Sequence, residues 1–193
     1  MRVLALLVVA GCAADIPSGS YLCGPDSACP EGQVCDGPTN TCVVPSAVTT
    51  FVCDPALQAS DDTHETASSL GTLACVSAPV TANGCLDITD HEDWYQVTVP
   101  AACGSTAIHV DLVYPLAFAQ LDLALTDMNG SGVAGGGGSC SSAPAEGDGQ
   151  DCIYVGVPAG ASYAIRVRPV AYSPCNGDCV DNHYALSVRL STN

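Results

Sequence analysis

From Cys53 onward, apolar and polar residues alternate with a period of two, the pattern of strands that bury one face. In 93–99, Tyr95, Val97 and Val99 share a face. Ile108, Val110 and Leu112 do so in 107–113. Leu121, Leu123 and Leu125 line the next run, with Asp122, Ala124 and Thr126 opposite. Ile153, Val155 and Val157 follow, then Tyr163, Ile165 and Val167, whose other face carries Arg166 and Arg168. A last run turns Tyr184, Leu186, Val188 and Leu190 inward, and Ser187 and Arg189 outward. Turn signals such as Asn129-Gly130 and Pro158-Ala159-Gly160 separate the runs. Strands at this spacing predict an all-β fold, an antiparallel β-sandwich. No long amphipathic helix competes; 63–70 reads as a short turn at most. The glycine run 135–138 with Ser139 reads as a mobile hairpin loop between two strands.

The N-terminus follows another pattern. After Met1-Arg2, residues 3–10 are eight apolar residues in a row. A membrane-spanning helix needs roughly 20, so this run is the apolar region of an export signal. It ends in Val9-Ala10-Gly11-Cys12, which resembles the lipobox of bacterial lipoproteins. That resemblance implies removal of residues 1–11, a diacylglyceryl thioether on Cys12, and acylation of its new amine by a fatty acid such as palmitate. Several chains anchor far more firmly than one, each buried CH₂ contributing about 0.8 kcal/mol. The alternative is a plain secretory signal with a chance cysteine. Ala13, rather than Asp, follows Cys12, which by the enterobacterial sorting pattern points to the outer membrane. Cysteine counting agrees: of 13 cysteines, setting Cys12 aside for lipid leaves an even dozen, enough for six disulfides in an oxidising compartment.

Composition narrows the partners. Twenty acidic residues face four arginines and no lysine, a net charge of −16. Such a chain is not built to grip nucleic acid or an anionic membrane surface directly, and it is compatible with divalent cations. Only 12 % of residues are charged, against 19 Gly, 13 Pro and 13 Cys. Few charges, many turn formers and many cysteines describe a disulfide-stapled β protein. The organisation read from the sequence is a signal over 1–11, a lipidated tether over 12–22, a Cys-rich module over 23–43, a Pro/Ser/Thr linker over 44–52 and a sandwich over 53–193.

In the Cys-rich module, Cys23, Cys29, Cys35 and Cys42 are spaced C-x5-C-x5-C-x6-C. About twenty residues cannot bury a useful core, so bridges must supply the order. The spacing resembles small EGF- or Dickkopf-like knots. Of three pairings, Cys23–Cys35 with Cys29–Cys42 interlocks most compactly. The module serves either as a protein-binding knob or as a stiff spacer. In the sandwich, Cys140 and Cys152 are placed to staple the glycine loop, and Cys175 and Cys179 to close a local loop. The pairing of Cys53, Cys75, Cys85 and Cys103 stays open.

Four segments in order carry a further resemblance: D-x-x-D-W-Y-Q-V-T-V-P over 90–100, L-D-L-A-L-T-D-M-N-G over 121–130, G-x-x-Y-A-I-R-V over 160–167 and H-Y-A-L-S-V over 183–188. Together they resemble the bacterial pre-peptidase C-terminal domain, a jelly-roll-like sandwich appended to secreted proteases, here without a peptidase. The resemblance implies a Ca²⁺ site between Asp61 and Asp62 upstream and Asp90 and Asp93 at the strand start. Clustered carboxylates are what this hard cation takes. The family's leading glutamate is absent, since its E-P-N-D stretch reads Ala59-Ser60-Asp61-Asp62. The plain alternative is that these aspartates solvate the loops and initiate turns.

Alternation turns Trp94 away from Tyr95, so it is either a sugar or peptide contact or is covered by a neighbouring loop. Catalytic signatures do not form. His64-Glu65 and His91-Glu92 begin like HExxH, but the fifth positions are Ser68 and Tyr95, so the second zinc histidine is missing; no G-x-S-x-G elbow occurs. The expectation is a non-enzymatic, membrane-anchored envelope lipoprotein whose sandwich binds an extracellular polysaccharide or protein. The alternative is a purely structural or accessory lipoprotein acting as spacer or partner subunit.

Overall fold

The alternating runs form strands, and their apolar faces meet between two sheets. The structure is a computed structural model that describes residues 17–36, 41–47, 53–57, 61–76, 78–87, 90–104, 106–116, 118–138, 140, 142–170 and 182–192. Cys12, Cys175 and Cys179 lie outside the described residues. Strands β1 (Val34–Asp36) and β2 (Thr41–Val43) belong to the Cys-rich module. The sandwich holds β3 (Ser68–Thr72), β4 (Val80–Leu86), β5 (Asp93–Thr98), β6 (Thr106–Pro115), β7 (Leu121–Asp127), β8 (Gly132–Gly135), β9 (Asp148–Val157), β10 (Ser162–Pro169) and β11 (Asn182–Thr192).

One sheet runs β3-β5-β10-β7-β8 and the other β4-β11-β6-β9. Pairing is antiparallel except between β3 and β5. Only β7 and β8 are consecutive strands of one sheet; every other connection from β3 onward crosses to the opposite sheet, in jelly-roll manner. The fold is therefore all-β and disulfide-stapled, as the alternation predicts. Val97 and Val99, Ile108 and Leu112, Leu121 to Leu125, Ile165 and Val167, and Leu186 and Val188 all lie in one apolar core. Burial of this kind contributes about 25 cal/mol per Å² and is the main force joining the sheets.

Three readings need correction. Residues 18–22 are not a free tether. Gly19 N donates to Cys42 O (2.8 Å), Cys42 N to Tyr21 O (2.8 Å), and Leu22 bridges to Thr41. Backbone groups along β2 that β1 leaves unpaired take partners from the preceding chain through an isolated bridge. The glycine run is not a loose loop either. Gly136 N donates to Leu123 O and Gly138 N to Cys152 O, while the Asp151 carboxylate accepts from Gly137 N (2.6 Å), Leu123 N (2.9 Å) and Cys152 N (2.9 Å). The segment thus ties the two sheets together. A side chain at Gly136 would run into the Asp151 carboxylate. The third correction is the strand count: β3, β4 and β8 carry too few apolar residues to stand out, and 63–70 ends in β3 rather than in a turn alone.

Five disulfides join described residues. In the module, Cys23 bonds Cys35 and Cys29 bonds Cys42, the interlocked order, and these sulfurs form its small core. In the sandwich, Cys53–Cys85 fixes the entering chain to β4, Cys75–Cys103 joins the β3–β4 connection to the turn after β5, and Cys140–Cys152 holds the glycine segment to β9. Cross-links on this scale belong to a protein that matures in an oxidising compartment, so the chain is exported.

Candidate functional site

The four aspartates singled out in the sequence converge where the 61–66 loop meets the start of β5. The loop is a tight turn in which Thr63 N and Oγ1 bond Thr66 Oγ1, and Thr66 N donates to Thr63 O (3.1 Å). It is hung on the sheet by Trp94 N, which donates to Asp61 O (3.0 Å). Opposite it, Asp87 and Asp90 form a bridge in which Asp90 N also donates to Asp87 Oδ1 (3.1 Å). Asp93 stands on the inward face of β5 with Tyr95 and Val97, so alternation drives a carboxyl into the interior.

Asp61, Asp90 and Asp93 are 2 %, 6 % and 1 % exposed, and Asp62 lies at the exposed rim. Oδ1 of Asp61, both carboxylate oxygens of Asp90 and Oδ1 of Asp93 are buried without a hydrogen-bond partner. A buried carboxylate left this way is expensive. Burial, then the neighbouring carboxyls of Asp62, Asp61 and Asp87, pushes Asp90 up to about 7. Burial raises Asp93 most, Tyr184's hydrogen bond opposes it, and Asp90 and Asp61 raise it further, to about 8. Asp62 contacts Asp90, and Asp61 contacts Asp93, through their side chains. Among the described residues, no three of these carboxylates offer oxygens all within 4.8 Å of one another. They stand as two contacting pairs whose mutual repulsion a cation would relieve.

Sequence reasoning missed the floor of this site. Tyr184 Oη, from β11 in the opposite sheet, donates to Asp93 Oδ2. Its only proton is then spent, so Tyr95 Oη donates in turn to Tyr184 Oη (2.8 Å). Burial pushes both phenols well above their ordinary range and keeps them donors. Gly84 of β4 leaves room for this chain, because a Cβ there would meet Tyr184 Oη and Asp93 Oδ2. The available signal was a glycine inside a strand, which marks a close approach.

The Trp94 ring is largely covered. It is 7 % exposed, with the His64 ring 5.8 Å away and the Arg166 guanidinium 5.5 Å from its centroid. Its Nε1 donates to Glu92 (3.1 Å), and Glu92 also meets Arg166 at 3.8 Å. Of the two sequence readings for Trp94, the covering loop is what the structure shows. The two HExx starts are likewise spent on structure: His64 pairs with Glu65 (3.1 Å), and Glu92 braces Trp94. The remaining tight groups of metal-ligand type among the described residues are built on Cys23, Cys29 and Cys42, or on Asp111 with Cys140 and Cys152. All of these cysteines are in disulfides, which removes the thiolates such sites use.

No protein-family model matches the chain, and no curated protein matches it. Similar solved structures include the pre-peptidase C-terminal domain of a collagenase from Bacillus anthracis, 18 % identical, covering 64 % of this chain and 94 % of that one with a TM-score of 0.44. Another is a periplasmic inhibitor of g-type lysozyme from Aeromonas hydrophila, 15 % identical, covering 63 % of this chain and 96 % of that one with a TM-score of 0.34. A third is an insecticidal delta-endotoxin from Bacillus thuringiensis, 18 % identical, covering 58 % of this chain and 19 % of that one with a TM-score of 0.30. The acidic site described above stands on its own geometry.

Proposed function

We propose that this protein is a non-catalytic binding module of the bacterial cell envelope, lipid-anchored through Cys12 and ordered by Ca²⁺ at the acidic site. The observation that carries the calcium reading is the set of four buried, unpartnered carboxylate oxygens on Asp61, Asp90 and Asp93. Oxygen-only, acidic and contributed by two loops, this donor set suits Ca²⁺. Asp61, Asp90 and Asp93 would hold the ion, with Asp62 at the rim. The bound ion would supply the positive charge that lets the carboxyls ionise. Tyr184 and Tyr95 hold Asp93 from below, and the loop is latched through Trp94 N.

The binding role is supported by an architecture that spends its polar groups on order. Among the described residues, a contact of nucleophile–base type lies between Ser191 Oγ and His109 Nε2 (2.9 Å). Arg189 Nη2 sits 3.5 Å from His109 Nδ1, and a guanidinium can only donate. Nδ1 is therefore the acceptor, and Nε2–H gives its proton toward Ser191 rather than taking one. Burial, then Arg189, holds this histidine below its ordinary range. That arrangement favours the binding reading over activation of the serine.

Calcium titration tests the metal. Trp94 donates its backbone N–H to Asp61 and neighbours Asp93, so its fluorescence and the melting temperature should both change on adding Ca²⁺, and Asp90→Asn should abolish both responses. A flat titration would sink the metal. Intact-mass spectrometry of membrane-extracted protein, with and without reduction, tests the anchor. Loss of residues 1–11, added acyl mass and twelve hydrogens gained on reduction are expected; a full-length N-terminus would overturn the anchor.

A further inference from the structure

The outer face of the β4-β11-β6-β9 sheet is set out by its register. Tyr154, His109 and Arg189 stand side by side on three adjacent strands. Next along the strands come Asp111 and Ser187, and then Val113, Ala185 and Asn83. Adjacent strands are about 4.8 Å apart, and same-face residues about 7 Å apart along a strand. Tyr154 is 52 % exposed although it lies in the middle of a regular strand. It stacks on His109 with ring centroids 4.3 Å apart, so one side of the phenol is braced while the ring stays accessible.

Six residues along β9 from Tyr154, about 20 Å away, the same face ends in a cavity of about 360 Å³. Its lining includes Asn83, Asp148 and His183 beside Leu57, Val113 and Ala185. Between ring and cavity the face carries Ser187, Asp111 and the Cys140–Cys152 bridge, with Cys152 Sγ 3.3 Å from Asp111 Oδ1. An aromatic platform, a polar middle and a mixed polar-apolar pocket therefore share one face of the sheet.

We propose that this face binds a neutral polysaccharide, one ring stacking on Tyr154 and a second sugar of the same chain entering the cavity. The proposal deepens the binding-module reading and rests on it. Three observations favour this occupant. Sugar rings offer C–H faces to an aromatic and hydroxyls that both donate and accept, matching a tyrosine beside Ser, Asn, Asp and His side chains. The net charge of −16 repels dense polyanions. A peptide adding as an extra strand beside Tyr154 would need the β9 edge, where Gly138 N already occupies Cys152 O and Cys140 is bridged to Cys152.

The test is a pull-down and titration of the full chain with neutral glucan, xylan and chitin, with polygalacturonate and gelatin as controls. Saturable binding to a neutral glycan, weakened about tenfold in Tyr154→Ala and abolished in Ala185→Trp, which fills the cavity, is expected. Unchanged melting temperatures in both variants keep the readout on binding. Glycan binding that survives both substitutions overturns this face while leaving the binding-module reading intact. Binding to gelatin or polygalacturonate but to no neutral glycan overturns the ligand class. Binding to none of these overturns the inference, and if binding to envelope proteins is also absent, the binding-module reading falls with it.

Discussion

The two outer faces of the sandwich are made from the same strand chemistry and end in opposite conditions. On the β3-β5-β10-β7-β8 sheet, Trp94 is sealed under the 61–66 loop, Arg166 is paired with Glu92, and Arg168 meets Asp122 at 3.5 Å. On the β4-β11-β6-β9 sheet, Tyr154 remains half exposed on a face that also holds a cavity. The difference comes from loops rather than strands. The 61–66 loop is latched over the first face by Trp94 N, which donates to Asp61 O. Along the second, Gly138 N and the Cys140–Cys152 bridge hold the neighbouring segment at the β9 edge, and Tyr154 stays half exposed. An outward aromatic is thus covered where an anchored loop lies over it and exposed where, among the described residues, none does.

The largest blow to this contrast should be Trp94→Ala. Loss of a buried indole costs about 3–5 kcal/mol, read as a lower urea midpoint, and the calcium response should weaken with it. Asp151→Ala comes next. It strips the acceptor from three backbone N–H groups joining the sheets, at about 2–3 kcal/mol, with exchange protection lost at Leu123 and Gly137 first.

The acidic site adds a pH dependence. Asp90 and Asp93 have folded-state values raised to about 7 and about 8 from 3.8. The folded state therefore holds more protons than the unfolded one between about 4 and 8, and without divalent ions stability falls as pH rises through that window. His109 and His183 are depressed by burial and act oppositely, but only around their ordinary 6.5 and below. A fall in melting temperature from pH 6.5 to 8.5 in chelator, absent in millimolar Ca²⁺, would isolate the carboxylates; the same slope in both conditions would break the assignment. Smaller still, Glu92→Gln loosens both the Trp94 and Arg166 contacts and should cost about 1 kcal/mol. Tyr154→Ala should change stability by no more than about 0.5 kcal/mol, which sharpens the contrast with Trp94.

Much of this was legible in the alternation. The runs at 93–99, 107–113, 121–126, 153–157, 163–168 and 184–190 all became strands with the expected faces inward. The strands that escaped notice, β3, β4 and β8, are all sheet edges. An edge strand buries less and needs fewer apolar residues, so Ser68-Ser69-Leu70-Gly71-Thr72 reads as loop. β9 is also an edge, yet Ile153, Val155 and Val157 give it away. The acidic loop positions could be gathered from motif order. Their partner Tyr184 could not, because its contact with Asp93 spans 91 residues and nothing local marks it. The rank of Trp94 and Tyr154 as covered and open was equally hidden, since exposure there depends on loops that alternation does not describe.

The place of β11 has a consequence for biogenesis. It follows every other described strand, yet it sits second in its sheet, hydrogen-bonded to β4 on one side and β6 on the other. Until it arrives, those two strands face an empty slot and the carboxyl of Asp93 lacks its phenol. A chain threaded outward from its N-terminus therefore cannot close this sheet until β11 has followed, whatever the earlier strands have formed.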